Sequence, residues 1–272
     1  MSSRRQIESG GAAATETGVS PPVLICMLGS FRLLRTGQLL TVRPGGKHEA
    51  LLTTLALHAT SRLSRETLIE TLWPDTTFAL AVQSLNSLVY SLGKMLSEAI
   101  GGEAPVLHPD GSYRLNLAAG VGVDTLTFER FARAGEEHSR GGREDAAATS
   151  YRQAVDLYTG DLYVAGDAHA VVERERLRAV FHTLLARLAE RFFRESDYAT
   201  ALDHSLRVLA SDPTREDAYR LAMKCYVRRG ERAQALRQYR MCERILRAEF
   251  DAKPEPATLA LFERVRHDPG SV

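Results

Sequence analysis

Two alanines 34 residues apart, Ala201 and Ala235, restrict the second half of this chain more than any other feature. Phe192 and Tyr226 stand at the same separation. A period of about 34 residues is that of a helix pair stacked on copies of itself, with a small side chain where the paired helices approach. Pro213 stands where one pair turns into the next. A weaker copy covers residues 129–160, with Ala148 in place of Ala201; the spacing there is 53, so an insertion separates the copies. From Val123 onward the pattern predicts helices of roughly 12 to 25 residues and no convincing strand. Gly141-Gly142, Gly160-Asp161, Asp212-Pro213 and Gly230 break them. Such stacks make a curved solenoid with a concave groove.

The first half has a different rhythm. The apolar run Val23–Leu28, the weakly alternating Phe31–Leu34 and the turn residues Thr36-Gly37-Gln38 predict a small antiparallel sheet. Pro44-Gly45-Gly46 then punctuates the chain. A first helix is expected over 47–59, with Leu51, Leu52 and Leu55 on one face. A second starts at the N-cap Ser64, carries Leu68, Ile69 and Leu72, and stops at Trp73 because Pro74 disfavours helix before it. A third covers 79–98. Leu85, Val89, Leu92 and Leu96 line one face of it, and Ser84, Ser87, Ser91 and Lys94 the other, flanked by Asn86 and Tyr90. Val106-Leu107, the turn Pro109-Asp110-Gly111 and residues 113–117 read as a β-hairpin.

The predicted class is therefore an α+β winged helix-turn-helix domain followed by an all-α tetratricopeptide-like helical repeat domain. Residues 1–22, small, polar and aperiodic, are expected as a flexible arm, 23–118 as the winged helix, 123–266 as the repeats and 267–272 as a tail.

Composition excludes several function classes. The 272 residues carry a formal net charge of +1, with 44% hydrophobic and 25% charged side chains, which excludes wholesale disorder. Cys26, Cys225 and Cys242 form no CxxC pair, so they read as buried small apolar groups. No histidine spacing suits a metal, and neither GxxxxGK[ST] nor GxSxG occurs. Catalysis, metal and cofactors are thus not expected. No apolar run approaches the ~20 residues of a membrane helix. The N-terminus lacks an apolar signal core, so a cytoplasmic location fits.

Short motifs in the second half are more specific. They are Val123-Asp124 with Phe128-Glu129, Tyr158-Thr159-Gly160-Asp161-Leu162, Glu173-Arg174-Glu175-Arg176-Leu177, residues 212–220 (DPTREDAYR), Ala235-Leu236-Arg237-Gln238-Tyr239 and Glu255-Pro256. With Leu28-Gly29, Leu72-Trp73-Pro74 and residues 111–115 (GSYRL), they make the chain resemble the streptomycete-type antibiotic regulatory proteins. These join an OmpR-like winged helix to a bacterial transcriptional activator domain. The resemblance covers roughly residues 23–266. It implies an activator of secondary-metabolite genes that binds double-stranded promoter DNA, as a homodimer on repeated half-sites, and contacts RNA polymerase. By the same resemblance Asp75, Thr76, Thr77 and Phe78 form the polymerase-facing loop. Two departures stand out. Ser91 and Gly93 occupy places where arginine is common, and Asp251 replaces a glycine near the end of the last repeat, where aspartate tolerates a left-handed backbone.

Residues 1–117 contain ten basic and nine acidic side chains, so placement rather than bulk charge must carry phosphate binding. Arg43, Lys47 and His48 lie at the start of the first helix, Arg62 and Arg65 at the start of the second, and Lys94 and Arg114 on the third helix and the hairpin. Arg4 and Arg5 are either phosphate contacts or solvated terminal charges. Asn86, Ser87, Tyr90 and Ser91 are candidates for reading base edges; a solvated serine face would look the same. Tyr113 either reaches the minor groove or packs under the hairpin. The alternative to the activator is a protein-binding adaptor with a degenerate winged helix and a partner groove in its repeats.

Overall fold

The computed structural model describes residues 20–163 and 168–272. Arg4 and Arg5 lie outside them. The chain divides into two compact units, one holding the chain up to Arg133 together with Asp156–Leu177, the other Ala134–Val155 with Arg178–Val272.

In the first unit, β1 (Val23–Cys26), β2 (Arg32–Arg35) and β3 (Gln38–Leu40) form an antiparallel meander. Thr36 and Gly37 close its tight hairpin in left-handed backbone, φ 49° and 78°. Glycine enters that region without penalty, whereas a β-branched threonine rarely does. Three helices follow: α1 (Lys47–Leu57), α2 (Arg65–Leu72) and α3 (Phe78–Leu96). Ser64 caps α2, its hydroxyl accepting from the Thr67 N–H at 3.1 Å. Trp73 ends that helix before Pro74. Leu51, Leu52, Leu55, Leu68 and Leu72 are buried between the helices. On α3 the buried stripe is Ala81, Leu85, Leu88, Leu92 and Leu96. Leu88 thus takes the place expected for Val89, because the stripe winds by 3–4 residues per step and Leu88 continues it from Leu85.

A second sheet, in the order β4 (Leu63–Ser64), β6 (Ser112–Leu115), β5 (Val106–Leu107), holds the expected hairpin. The sequence pattern gave no sign of β7 (Val121–Val123), which pairs in parallel with β1 and makes the first sheet four-stranded. α4 (Asp124–Arg140) follows it directly.

Several of the motifs that carry the resemblance meet at the end of β1. The Asp124 carboxylate, 3% exposed, accepts the Met27 N–H at 2.8 and 2.9 Å and the Leu28 N–H at 2.9 Å. The Leu28 carbonyl accepts the Thr159 hydroxyl at 2.6 Å, and the Gly29 N–H donates to the Asp161 carbonyl at 3.0 Å. Gly29, at φ 94°, leaves no room for a side chain: a Cβ there would lie 2.6 Å from Thr159 Oγ1. Tyr158 donates to Asp161 at 2.9 Å, and its ring lies 5.6 Å from that of Phe128. Arg176 pairs with Glu129 and Glu173. Burial raises the Asp124 pKa to about 6, against the opposing pull of its backbone donors.

The second unit is helical. α5 (Glu144–Leu157) and α6 (Ala168–Arg194) contribute most of their length to it, and α7 (Tyr198–Ser211), α8 (Glu216–Arg228), α9 (Arg232–Phe250) and α10 (Pro256–His267) complete it. The 34-residue period is realised in its packing. Ala201 sits with Ala222 and Cys225 against Phe192; Ala235 sits with Met223 and Tyr239 against Tyr226. Ala148 is buried as well, and a side chain on Gly135 would meet the Tyr151 ring at 2.3 Å. Asp251 ends α9 at φ 50°, the left-handed position anticipated for it. Val272 packs with Leu261 and Val265. All three cysteines are buried free thiols, and burial pushes their pKa values up, to about 11 for Cys26 and Cys225 and about 12 for Cys242. Among the described residues no helix is long and apolar enough to cross a membrane.

Candidate nucleic-acid interface

The exposed side of α3 is polar. Asn86, Ser87, Tyr90 and Lys94 all face solvent, Tyr90 by 67%. The Lys94 ammonium lies 4.8 Å from the centre of the Tyr90 ring, a cation–π contact that holds it on this face. Ser91 differs from its neighbours. It is half-buried, and its hydroxyl lies 2.9 Å from His48 Nε2, so it braces α3 on α1.

The hairpin and the start of α2 are joined by strand pairing. Leu63 lies opposite Tyr113 and Ser64 opposite Ser112, which brings Arg65, the next residue, to the hairpin turn. Asp110 and Gly111 form that turn at φ 53° and 75°. A side chain on Gly111 would lie 3.9 Å from Arg65 Nη2, so the guanidinium sits beside the turn. Along β6, Tyr113 and Leu115 point inward while Arg114 stays half-buried. Tyr113 is 2% exposed and its ring lies 5.6 Å from that of His108, so it packs under the hairpin. Arg65 and Arg114 share one property. Each has its Nε shielded from water without a hydrogen-bond partner, and neither forms an ion pair among the described residues. A planar guanidinium fork that forms no ion pair among the described residues matches phosphate oxygens.

The remaining candidates make contacts of their own or stand exposed. Lys47 donates its ammonium to the Leu72 carbonyl and sits 5.5 Å from the Trp73 ring, which ties it to the end of α2. Arg43 is exposed, in the turn closed by its carbonyl and the Gly46 N–H at 3.0 Å. Asp75, Thr76, Thr77 and Phe78 are all exposed, Phe78 by 54%. Sequence reasoning passed over Glu49, a buried carboxylate on the inner face of α1. Its spacing with Leu52, Thr53 and Ala56 is the signal that was available, since it places a charge on a buried stripe.

Comparison with known proteins agrees with this architecture. The family model for the bacterial transcriptional activator domain matches residues 123–266. The chain is 26% identical over 242 residues to the regulatory protein AfsR of Streptomyces coelicolor, covering 88% of this chain but 24% of that protein. It is 27% identical over 227 residues to the regulatory protein DnrI of Streptomyces peucetius, covering 79% of this chain and 82% of that protein. Among solved structures, Mycobacterium tuberculosis EmbR in complex with a low-affinity phosphopeptide shares the fold, with a TM-score of 0.74 at 20% identity. That match covers 91% of this chain and 65% of the EmbR chain. By the family model that spans more than half its length, the chain belongs to the bacterial transcriptional activator domain family, the family of the streptomycete-type regulators.

Proposed function

We propose that this chain is a DNA-binding transcriptional regulator that activates a secondary-metabolite gene cluster. In this reading α3 enters the major groove with Asn86, Ser87 and Tyr90, while Arg65, Lys94 and Arg114 neutralise phosphates around it, with Arg43 and Lys47 at the margin. The observation that carries it is the polar outer side of α3, where Asn86, Ser87, Tyr90 and Lys94 are all exposed. The exposed loop Asp75–Phe78 would contact RNA polymerase, and the regulator would act as a homodimer on repeated half-sites. Its helical repeats would support dimerisation or the polymerase contact.

The test is fluorescence anisotropy on duplexes tiled across the DNA upstream of the neighbouring genes, at several salt concentrations. Tight, salt-sensitive binding to one tile is expected. Arg65→Ala or Arg114→Ala should each weaken binding and lower the salt slope by about 1. Absence of preference for any tile at low salt would overturn the proposal and favour a protein-binding adaptor.

A further inference from the structure

Burying a carboxylate is expensive unless a cation compensates it. Glu49 is 7% exposed, yet its partners are neutral: Oε1 accepts the Tyr163 hydroxyl at 2.7 Å and Oε2 the Gly45 N–H at 3.3 Å. Among the described residues no lysine, arginine or histidine lies within ion-pair distance of it. The carboxylate lines a cavity of about 360 Å³ between α1 and the end of α2, walled by Ala50, Leu57 and Leu72.

The other polar groups of this cavity have their hydrogens committed elsewhere. Thr53 donates to the Glu49 carbonyl at 2.9 Å, Thr54 to the Ala50 carbonyl at 2.8 Å and Thr71 to the Thr67 carbonyl at 2.8 Å. Each hydroxyl is left with lone pairs only. The cavity therefore combines one buried negative charge, three further acceptors and apolar walls. It repels anions and has no side-chain hydroxyl hydrogen to offer a neutral acceptor.

We infer that this cavity binds a small organic cation, an apolar body carrying one ammonium or amidinium group, with that group on Glu49. The apolar body would fill the space between Leu57 and Leu72, and the hydroxyls of Thr53, Thr54 and Thr71 would accept from the cationic head. Tyr163, already bonded to Glu49, would hold the carboxylate in place. The inference stands whether or not the unit binds DNA.

The experiment is two-dimensional ¹H–¹⁵N NMR titration of the full chain with three probes of similar shape: phenethylamine, 2-phenylethanol and phenylacetate. Phenethylamine should shift the amides of Gly45, Gly46 and Thr53 saturably, and the alcohol and the acid should not. Glu49→Gln keeps an acceptor for Tyr163 and should weaken amine binding by about 10-fold or more. Thr54→Val keeps the shape and removes one acceptor, so it should weaken binding a few-fold; it decides the matter if the Glu49 variant fails to fold. Equal binding of 2-phenylethanol, shifts confined to other residues, no binding of any probe, or unchanged amine affinity in the folded variants would each overturn the inference.

Discussion

The joint at the end of β1 and the face formed by α3 and its hairpin contrast in one respect, the completeness of their bonding. At the joint, Met27, Leu28, Gly29, Asp124, Thr159 and Asp161 satisfy one another through bonds of 2.6 to 3.0 Å. At the hairpin, Arg65 and Arg114 keep N–H groups that the protein does not satisfy. Several of the motifs that carry the resemblance lie at the joint, whereas Asn86, Ser87, Tyr90 and Lys94, exposed on α3, lie in none of them. A family signature can thus report how a chain is held together rather than what it touches.

Substitutions can break that contrast. The largest effect is expected at Asp124. Asp124→Ala strips the acceptor from two buried N–H groups and should cost about 2–4 kcal/mol in chemical denaturation. A loss below about 0.5 kcal/mol, the scale of ordinary surface changes, would mean that the joint is dispensable. Gly29→Ala comes next. It combines a left-handed backbone with a 2.6 Å clash and should cost about 1–3 kcal/mol, read as a lowered midpoint.

The pH dependence is smaller. Because burial raises the Asp124 pKa to about 6 in the fold, above its unfolded value, the folded state binds the proton more tightly. This group therefore adds stability as pH falls and loses it as pH rises through 6. Between pH 7 and pH 5 the wild type should gain about 1 kcal/mol relative to Asp124→Asn. A relative loss over that interval would show that the backbone donors outweigh burial. At the hairpin, Arg65→Ala and Arg114→Ala should change stability by less than about 0.5 kcal/mol while weakening DNA binding. If both instead unfold the protein, those arginines belong with the joint. The least change is expected from Asp251→Gly, which relieves a left-handed aspartate at the end of α9 and should leave stability within about 0.5 kcal/mol.

The helices were legible because their apolar stripes repeat locally, and the repeats because Ala201 and Ala235 pack alike. β7 was not. Val121-Gly122-Val123 is too short to show alternation, and its partner β1 lies about a hundred residues earlier in the chain. Asp124 and Leu28-Gly29 could be quoted as motifs, yet nothing local in them says that they meet. The site divided in the same way. The exposure of Asn86, Ser87, Tyr90 and Lys94 follows from the period of α3, whereas the engagement of Ser91 by His48 and of Lys47 by Leu72 depends on tertiary packing that no period encodes. The unpartnered state of Arg65 and Arg114 is equally invisible in a sequence, since an arginine reads the same whether paired or not.

The bonds of Leu28 and Gly29 to Thr159 and Asp161 also bear on synthesis. Chains emerge from the ribosome N-terminal end first, at about 5–20 residues per second. When residue 118 has been made, the three helices and the hairpin are complete, but β1 still lacks β7 on one side and Asp124 at its end. Some forty residues later Thr159 and Asp161 follow. At that pace the first unit waits several seconds for its closing bonds, with the Leu28 carbonyl and the Gly29 N–H unpaired meanwhile. A nascent chain of this kind is latched late, by residues made well after the fold it secures.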